Sequence, residues 1–272
     1  MKTRIIVAAV CIPFILAVLL WLPPVFLTGF AMLMTGFIAY ELIKATDAAS
    51  CKRNYLYAIL SACLIPLLVY LEADRIYFHV VLYVLSAIMF IEAVLAYGKE
   101  KAVKFSDILT VIFGGFIIPC ALSCLVILKM KELGHLYVLL PFLCTFVSDS
   151  GAYFAGVFLG KHKGIFKVSP NKSAEGCVGS VLSLVLGMLI YGLILKFALK
   201  IEVSLAVLML YAVVGNVMTQ LGDLSFSLIK REHGIKDYGN LIPGHGGMLD
   251  RFDSMIFAAP VIYILVTLVP AF

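Results

Sequence analysis

Residues 177–199 read CVGSVLSLVLGMLIYGLILKFAL, and Lys196 is the single charge in the run. A helix of about 20 mostly apolar residues crosses the hydrocarbon core of a bilayer. Backbone groups in lipid must be satisfied internally, which leaves helices or closed barrels. Barrel strands would alternate in polarity, and this run does not, so it predicts a spanning helix. Working outward, comparable runs occupy 5–22, 25–43, 55–71, 76–97, 105–128, 135–159, 203–229 and 254–271. The fold class is therefore read as all-α: a polytopic integral membrane protein of about nine transmembrane helices. Bulk composition agrees. Hydrophobic residues make up 63% and charged residues 14% of the 272, with a mean hydropathy of +1.08, which excludes an ordinary soluble domain.

Lys2 and Arg4 precede the first run, which Pro23-Pro24 ends. That run is long for a signal peptide and lacks a small-residue cleavage site, so an uncleaved first span is expected. Basic residues orient the spans, because cytoplasmic loops carry the excess of lysine and arginine. With nine spans and a cytoplasmic N-terminus, 16 of the 21 fall inside and 5 outside. Both long polar loops, 160–176 and 230–253, then face the cytoplasm. The short loops leave no room for a separate soluble core. Acids and glycine-rich loops concentrate after residue 145. The expected organisation is one continuous membrane domain, with an N-terminal transmembrane scaffold at 1–140 and a C-terminal catalytic half at 141–272.

The net charge of +5 fits basic cytoplasmic loops and gives no reason to expect nucleic acid. The seven cysteines form no Cys-x-x-Cys pair and mostly sit in apolar runs, so neither a disulfide framework nor a zinc site is expected.

Against this apolar background, residues 223–253 hold eleven ionisable groups. Charge inside a membrane is costly and marks function when retained. Asp223 and Ser227 are one helical turn apart, and Lys230 and Arg231 follow a turn later, so all four can share a face. Residues 243–247, Pro-Gly-His-Gly-Gly, form a loop whose backbone can approach a ligand closely. Asp250, Arg251 and Asp253 then begin the last span. Hard divalent cations such as magnesium take oxygen ligands, often one or two carboxylates plus substrate phosphates. Asp223 and Asp250 could supply that pair, with Lys236 and Arg251 clamping phosphate oxygens. Upstream, Asp149 shares a helical face with Tyr153, Gly156 and Gly160, small residues there admitting a close neighbour helix. In the loop 161–176, Ser173 is a candidate N-cap, and the helix start beside Lys172 suits an anionic phosphate. Glu175 joins it as a candidate.

The stretch Ser227-Leu228-Ile229-Lys230-Arg231, with Lys236-Asp237, Gly239, Ile242-Pro243, His245-Gly246-Gly247-Met248 and Asp250-Arg251-Phe252-Asp253, resembles the signature of bacterial phosphatidate cytidylyltransferases, or CDP-diacylglycerol synthases. Asp149 with Ala152-Tyr153, Gly160-Lys161, Ser169 to Ser173, Glu175-Gly176 and Gly222-Asp223-Leu224 fit as well. The first 140 residues match in character only. The resemblance implies an enzyme of phospholipid biosynthesis in the cell (inner or plasma) membrane. It would convert CTP and phosphatidic acid to CDP-diacylglycerol and pyrophosphate at a cytoplasmic-side site. It implies Mg2+, admits a monovalent cation such as K+, and implies a homodimer among membrane lipids. Asp223 and Asp250 would correspond to the metal-binding aspartates. Lys230, Arg231, Lys236 and Arg251 would neutralise phosphates. Lys172, Ser173, Glu175, Ser227, His245, Gly246, Gly247 and Asp149 would contact or support the substrates. Two alternatives stay open: a CTP-dependent polyprenol kinase-like enzyme, which would release CDP, and a membrane transporter.

Overall fold

The computed structural model describes residues 13–48, 52–99, 102–241 and 246–272. Among them there is no β-strand. Residues 13–20 are helical. The labelled helices that follow are α1 (Pro24–Ala45), α2 (Lys52–Tyr70), α3 (Arg75–Ala96), α4 (Phe105–Ile112), α5 (Ile118–Met130), α6 (Gly134–Tyr137), α7 (Leu139–Phe158), α8 (Ala174–Phe197), α9 (Leu205–Glu232) and α10 (Leu249–Leu268). Eight helical segments are long and apolar enough to cross a membrane. They correspond to eight of the nine expected spans; the span expected at 5–22 lies partly outside the described residues. The chain is an all-helical, multi-pass membrane protein.

The span expected at 105–128 is not one regular helix. Residues Phe113–Ile117 form a π-helical turn between α4 and α5. Pro119 lies at the start of α5 and has no N–H to donate, so the regular ladder breaks there. The widened turn also suits tight packing. A Cβ on Gly115 would lie 2.5 Å from the Ser61 Oγ and 3.0 Å from the Ala58 Cα.

The chain divides into two compact units. One comprises the described residues of Met1–His135 together with Ile229–Phe252; the other is Leu136–Leu228 with Asp253–Phe272. The polar stretch 229–252, from the end of α9 to the start of α10 and read from sequence as part of the C-terminal half, groups with the first unit. In that unit Ala39, Ile43, Ala58, Ala62, Met89, Ile108 and Val111 form a buried core across α1 to α4.

In the second unit, α7 and α8 interlock through small residues. A Cβ on Gly179 would stand 2.2 Å from the Ala155 Cβ, and one on Gly151 would stand 2.4 Å from the Ser183 Oγ. Lipid provides little hydrophobic drive between helices, so close backbone approach and polar links hold them. Those links are present. The Asn216 side-chain amide on α9 donates to the Ser148 Oγ on α7 at 2.9 Å and to the Ser180 Oγ on α8 at 3.1 Å. The Gln220 amide donates to the Ser180 Oγ at 2.8 Å and to the Asn216 Oδ1 at 2.6 Å.

Candidate active site

Second unit first. Ser173 caps α8, its hydroxyl accepting from the Gly176 N–H at 3.1 Å. This is the cap expected from sequence. The start of α8 presses against α7 where neither helix has a side chain: a Cβ on Gly176 would meet the Gly156 Cα at 3.6 Å and the Ala152 carbonyl oxygen at 3.0 Å. Beside this contact lies a cavity of about 440 Å³. Asp149, Lys172, Ser173 and Asp223 all line it, with Lys163 and Asn171 at the loop side and Ser148, Ser180 and Gln220 toward the polar network. Asp223 comes from α9, and its Oδ2 pairs with the Lys172 ammonium. Gly222 is what lets α9 sit this close to the last helix: a Cβ there would be 2.8 Å from the Asp253 carbonyl oxygen.

Two of the expected residues in this unit lie elsewhere. Glu175 does not line the cavity. Its carboxylate accepts from the His162 N–H at 3.2 Å, and its Oε1 lies 2.6 Å from the His162 Nδ1. Ser227 is buried and does not line the cavity either.

In the first unit Asp250 is the centre of a dense donor set. The Lys230 ammonium donates to its Oδ1 at 3.0 Å. The N–H groups of Tyr238 and Gly247 donate to its Oδ2 at 2.8 and 3.0 Å. Lys230 also stands 5.5 Å from the centre of the Tyr238 ring, within cation–π range. Both partners of the ion pair are largely shielded, with side-chain exposures of 12% for Lys230 and 6% for Asp250. Shielding of that degree strengthens the attraction and makes either charge costly alone. Arg231, Lys236 and Arg251 are exposed. Gly246 has φ +85°, a conformation that suits glycine, and a Cβ on it would sit 3.3 Å from the Asp250 Oδ2. His245 lies outside the described residues.

Sequence reasoning overlooked Glu41. It lies in α1, is buried at 4% exposure, and accepts from the N–H groups of Met248 and Leu249 at 3.0 and 2.8 Å. Gly239 and Gly247 crowd the same carboxylate: a Cβ would fall 2.5 Å from its Oε1 at the former and 2.6 Å from its Oε2 at the latter. An isolated acid in an apolar run was the visible signal. Its partners, more than 200 residues away, were not.

Residues 2–269 match the profile of the cytidylyltransferase family. The chain belongs to that family. A phosphatidate cytidylyltransferase of Thermotoga maritima is 31% identical over 275 residues, covering 97% of this chain and 96% of the relative. One of Staphylococcus saprophyticus is 39% identical over 137 residues, covering 50% of this chain and 51% of that relative. One of Bacillus subtilis is 38% identical over 140 residues, covering 52% and 51%. Over these last two alignments the chain spans about half the length of the curated relatives it matches. The carboxylate–lysine pairs at Asp223 and Asp250 are the parts of this family member that call for a chemical reading.

Proposed function

We propose that this family member transfers the cytidylyl group of CTP to phosphatidic acid, releasing pyrophosphate and leaving CDP-diacylglycerol in the membrane. The observation that carries the reading is the second-unit cavity, where Asp149, Lys172, Ser173 and Asp223 meet at the capped start of α8. A lysine, a serine hydroxyl and carboxylates in one opening suit a phosphate-bearing substrate together with a cation. The names of the relatives, one matched over nearly its full length and one over about half, point to the same reaction.

In this reaction a phosphate oxygen of the lipid attacks the α-phosphorus of CTP, and the bond to the pyrophosphate oxygen breaks. Both reactants are anions, so their repulsion must be offset. The lipid phosphate is already ionised near neutral pH, which removes the need for a strong general base. The protein's work is alignment and neutralisation. Lys172 and Ser173 bind phosphate in the second unit. Lys230, Arg231, Lys236 and Arg251 neutralise phosphate around Asp250. Gly246 and Gly247 allow backbone approach there, Ser227 and His245 support the site, and Glu175 steadies the loop through His162.

Asp223 and Asp250 are each proposed as a magnesium ligand. An ammonium already stands against each carboxylate, so both positions accept a cation. Among the described residues no three His, Cys, Asp or Glu side chains cluster as a metal cage. Substrate phosphates and water would therefore complete the shell, as is common for Mg2+. Bound there, the ion would supply charge neutralisation of the triphosphate; a monovalent cation such as K+ is a second candidate. The proposal includes a cell-membrane location, a cytoplasmic-facing site and a homodimer, the last to be checked by light scattering on the detergent complex.

The test is the reaction itself. Purified protein in detergent receives phosphatidic acid and α-labelled CTP, with and without magnesium. Label is expected in a lipid product only with both substrates and metal. Transfer of the γ-phosphate with release of CDP would overturn the reading in favour of a kinase.

A further inference from the structure

We infer that Glu41 is a positioning residue for Asp250, fixing from α1 the start of α10 that presents Asp250 to Lys230 of α9. This inference rests on the reading of Asp250 as a site carboxylate. The first turn of a helix leaves N–H groups without partners, and a Ser, Thr, Asp or Asn just before it normally satisfies them. Here the residues before Leu249 are Gly246, Gly247 and Met248, and none has a capping side chain. Glu41 fills the role from a distant helix, accepting from Met248 and Leu249 at 3.0 and 2.8 Å. A carboxylate buried this deeply is costly unless hydrogen-bonded, so the two partners stabilise each other.

Asp250 follows directly and fastens the same loop from inside, through Tyr238 and Gly247. Two carboxylates thus grip one backbone, the first setting where the helix begins and the second using that setting to meet Lys230. Gly239 and Gly247 leave the space that Glu41 requires. Glu41 itself also lines an apolar cavity of about 560 Å³ with Lys44 and Tyr238, so displacing it has open space to move into.

The test compares Glu41→Gln and Glu41→Ala with Glu92→Gln. Glu92 is an acid of the same unit, paired with Arg53 and Tyr57 and assigned no part in the reaction. Three quantities are measured on the full chain in detergent: kcat, KM for CTP and for phosphatidic acid, and hydrogen exchange of residues 246–252. Gln keeps the volume and one acceptor, so kcat is expected to fall about 10-fold; Ala is expected to cost about 100-fold, the scale of an ångström-sized misplacement. Both KM values should stay within about threefold. Exchange should rise in 246–252 but not in α7 and α8, and Glu92→Gln should alter neither rate nor exchange there. Wild-type kcat in Glu41→Ala, or lost activity with unaltered exchange at 246–252, would overturn the inference. Where Ala prevents folding, Gln carries the comparison. Should the wild-type protein make no CDP-diacylglycerol, the functional reading fails, while the exchange measurement still decides whether Glu41 fixes the loop.

Discussion

A carboxylate placed in a membrane-spanning helix costs roughly 2.5–3.5 kcal/mol at mid-bilayer unless something offsets it. Asp223 has its offset in Lys172, and both line the same cavity. The pair predicts different kinetic signatures for its two members. Asp223→Asn keeps the shape and removes the charge, so we expect turnover to drop at least about 100-fold, the scale of losing one preorganised electrostatic contact. The protein should still elute as the folded species on size-exclusion chromatography. Near-normal turnover would remove Asp223 from the metal assignment. Lys172→Ala deletes a charge-assisted contact worth about 1.5–3 kcal/mol. We expect KM for one substrate to rise by roughly 10-fold or more, with expression unchanged. Unaltered KM for both substrates would show that Lys172 only balances Asp223. Asp149, Lys172 and Asp223 stood out in sequence because each is a charge in or beside an apolar span, and all three line the cavity. Glu175 was legible as an acid but not as the partner of His162, since its direction depends on how the loop 161–173 folds back.

Among the elements, the interlock of α7 with α8 carries the cavity. Helical periodicity named Gly156 on a face open to a neighbouring helix, and Gly156 does meet Gly176; Gly151 and Ala155, which make the tightest contacts with Ser183 and Gly179, lie off that face and were not named. The polar network around Asn216 was not visible in the same way. Ser148, Ser180 and Asn216 come from three helices, and periodicity within one helix says nothing about which polar residue meets which. The π-helical turn at Phe113–Ile117 was missed for a related reason: hydropathy reports apolar length, not backbone winding. Two substitutions separate the contributions. Gly179→Val would place a carbon 2.2 Å from the Ala155 Cβ, an overlap no flexible side chain can relieve. We expect a loss of about 1–3 kcal/mol, the range for overpacking, seen as a lower midpoint in thermal unfolding in detergent. Asn216→Ala leaves Ser148 and Gln220 short of a partner and should cost about 1–2 kcal/mol. An unchanged midpoint in Asn216→Ala would mean that the small-residue contact alone holds α7, α8 and α9.

For the whole molecule, the distribution of charge decides which face of the membrane the substrates approach. Counting lysines and arginines requires only the spans, and the eight described spans coincide with those used in the count. The asymmetry of 16 against 5 then argues that loop 161–173 and the stretch 230–253 lie in the cytoplasm, where CTP is made. The grouping of 229–252 with the first unit was not legible: the contacts there include those from Glu41 to Met248 and Leu249, across 207 and 208 positions of sequence. The topology has a direct check. Ile165 is 44% exposed in the loop that carries Lys163 and Lys172, so Ile165→Cys offers a thiol to solvent. Of the seven native cysteines, Cys63, Cys120, Cys124, Cys144 and Cys177 lie inside spanning helices, and Cys11 and Cys51 lie outside the described residues, so Cys11→Ser with Cys51→Ser serves as the background. A membrane-impermeant maleimide should leave Ile165→Cys unmodified in intact cells and modify it in inverted vesicles. Modification in intact cells would place the loop outside and reverse the assigned orientation. Lys172 and Asp223 would then face a compartment without CTP, and cytidylyl transfer at that cavity would have no nucleotide to use.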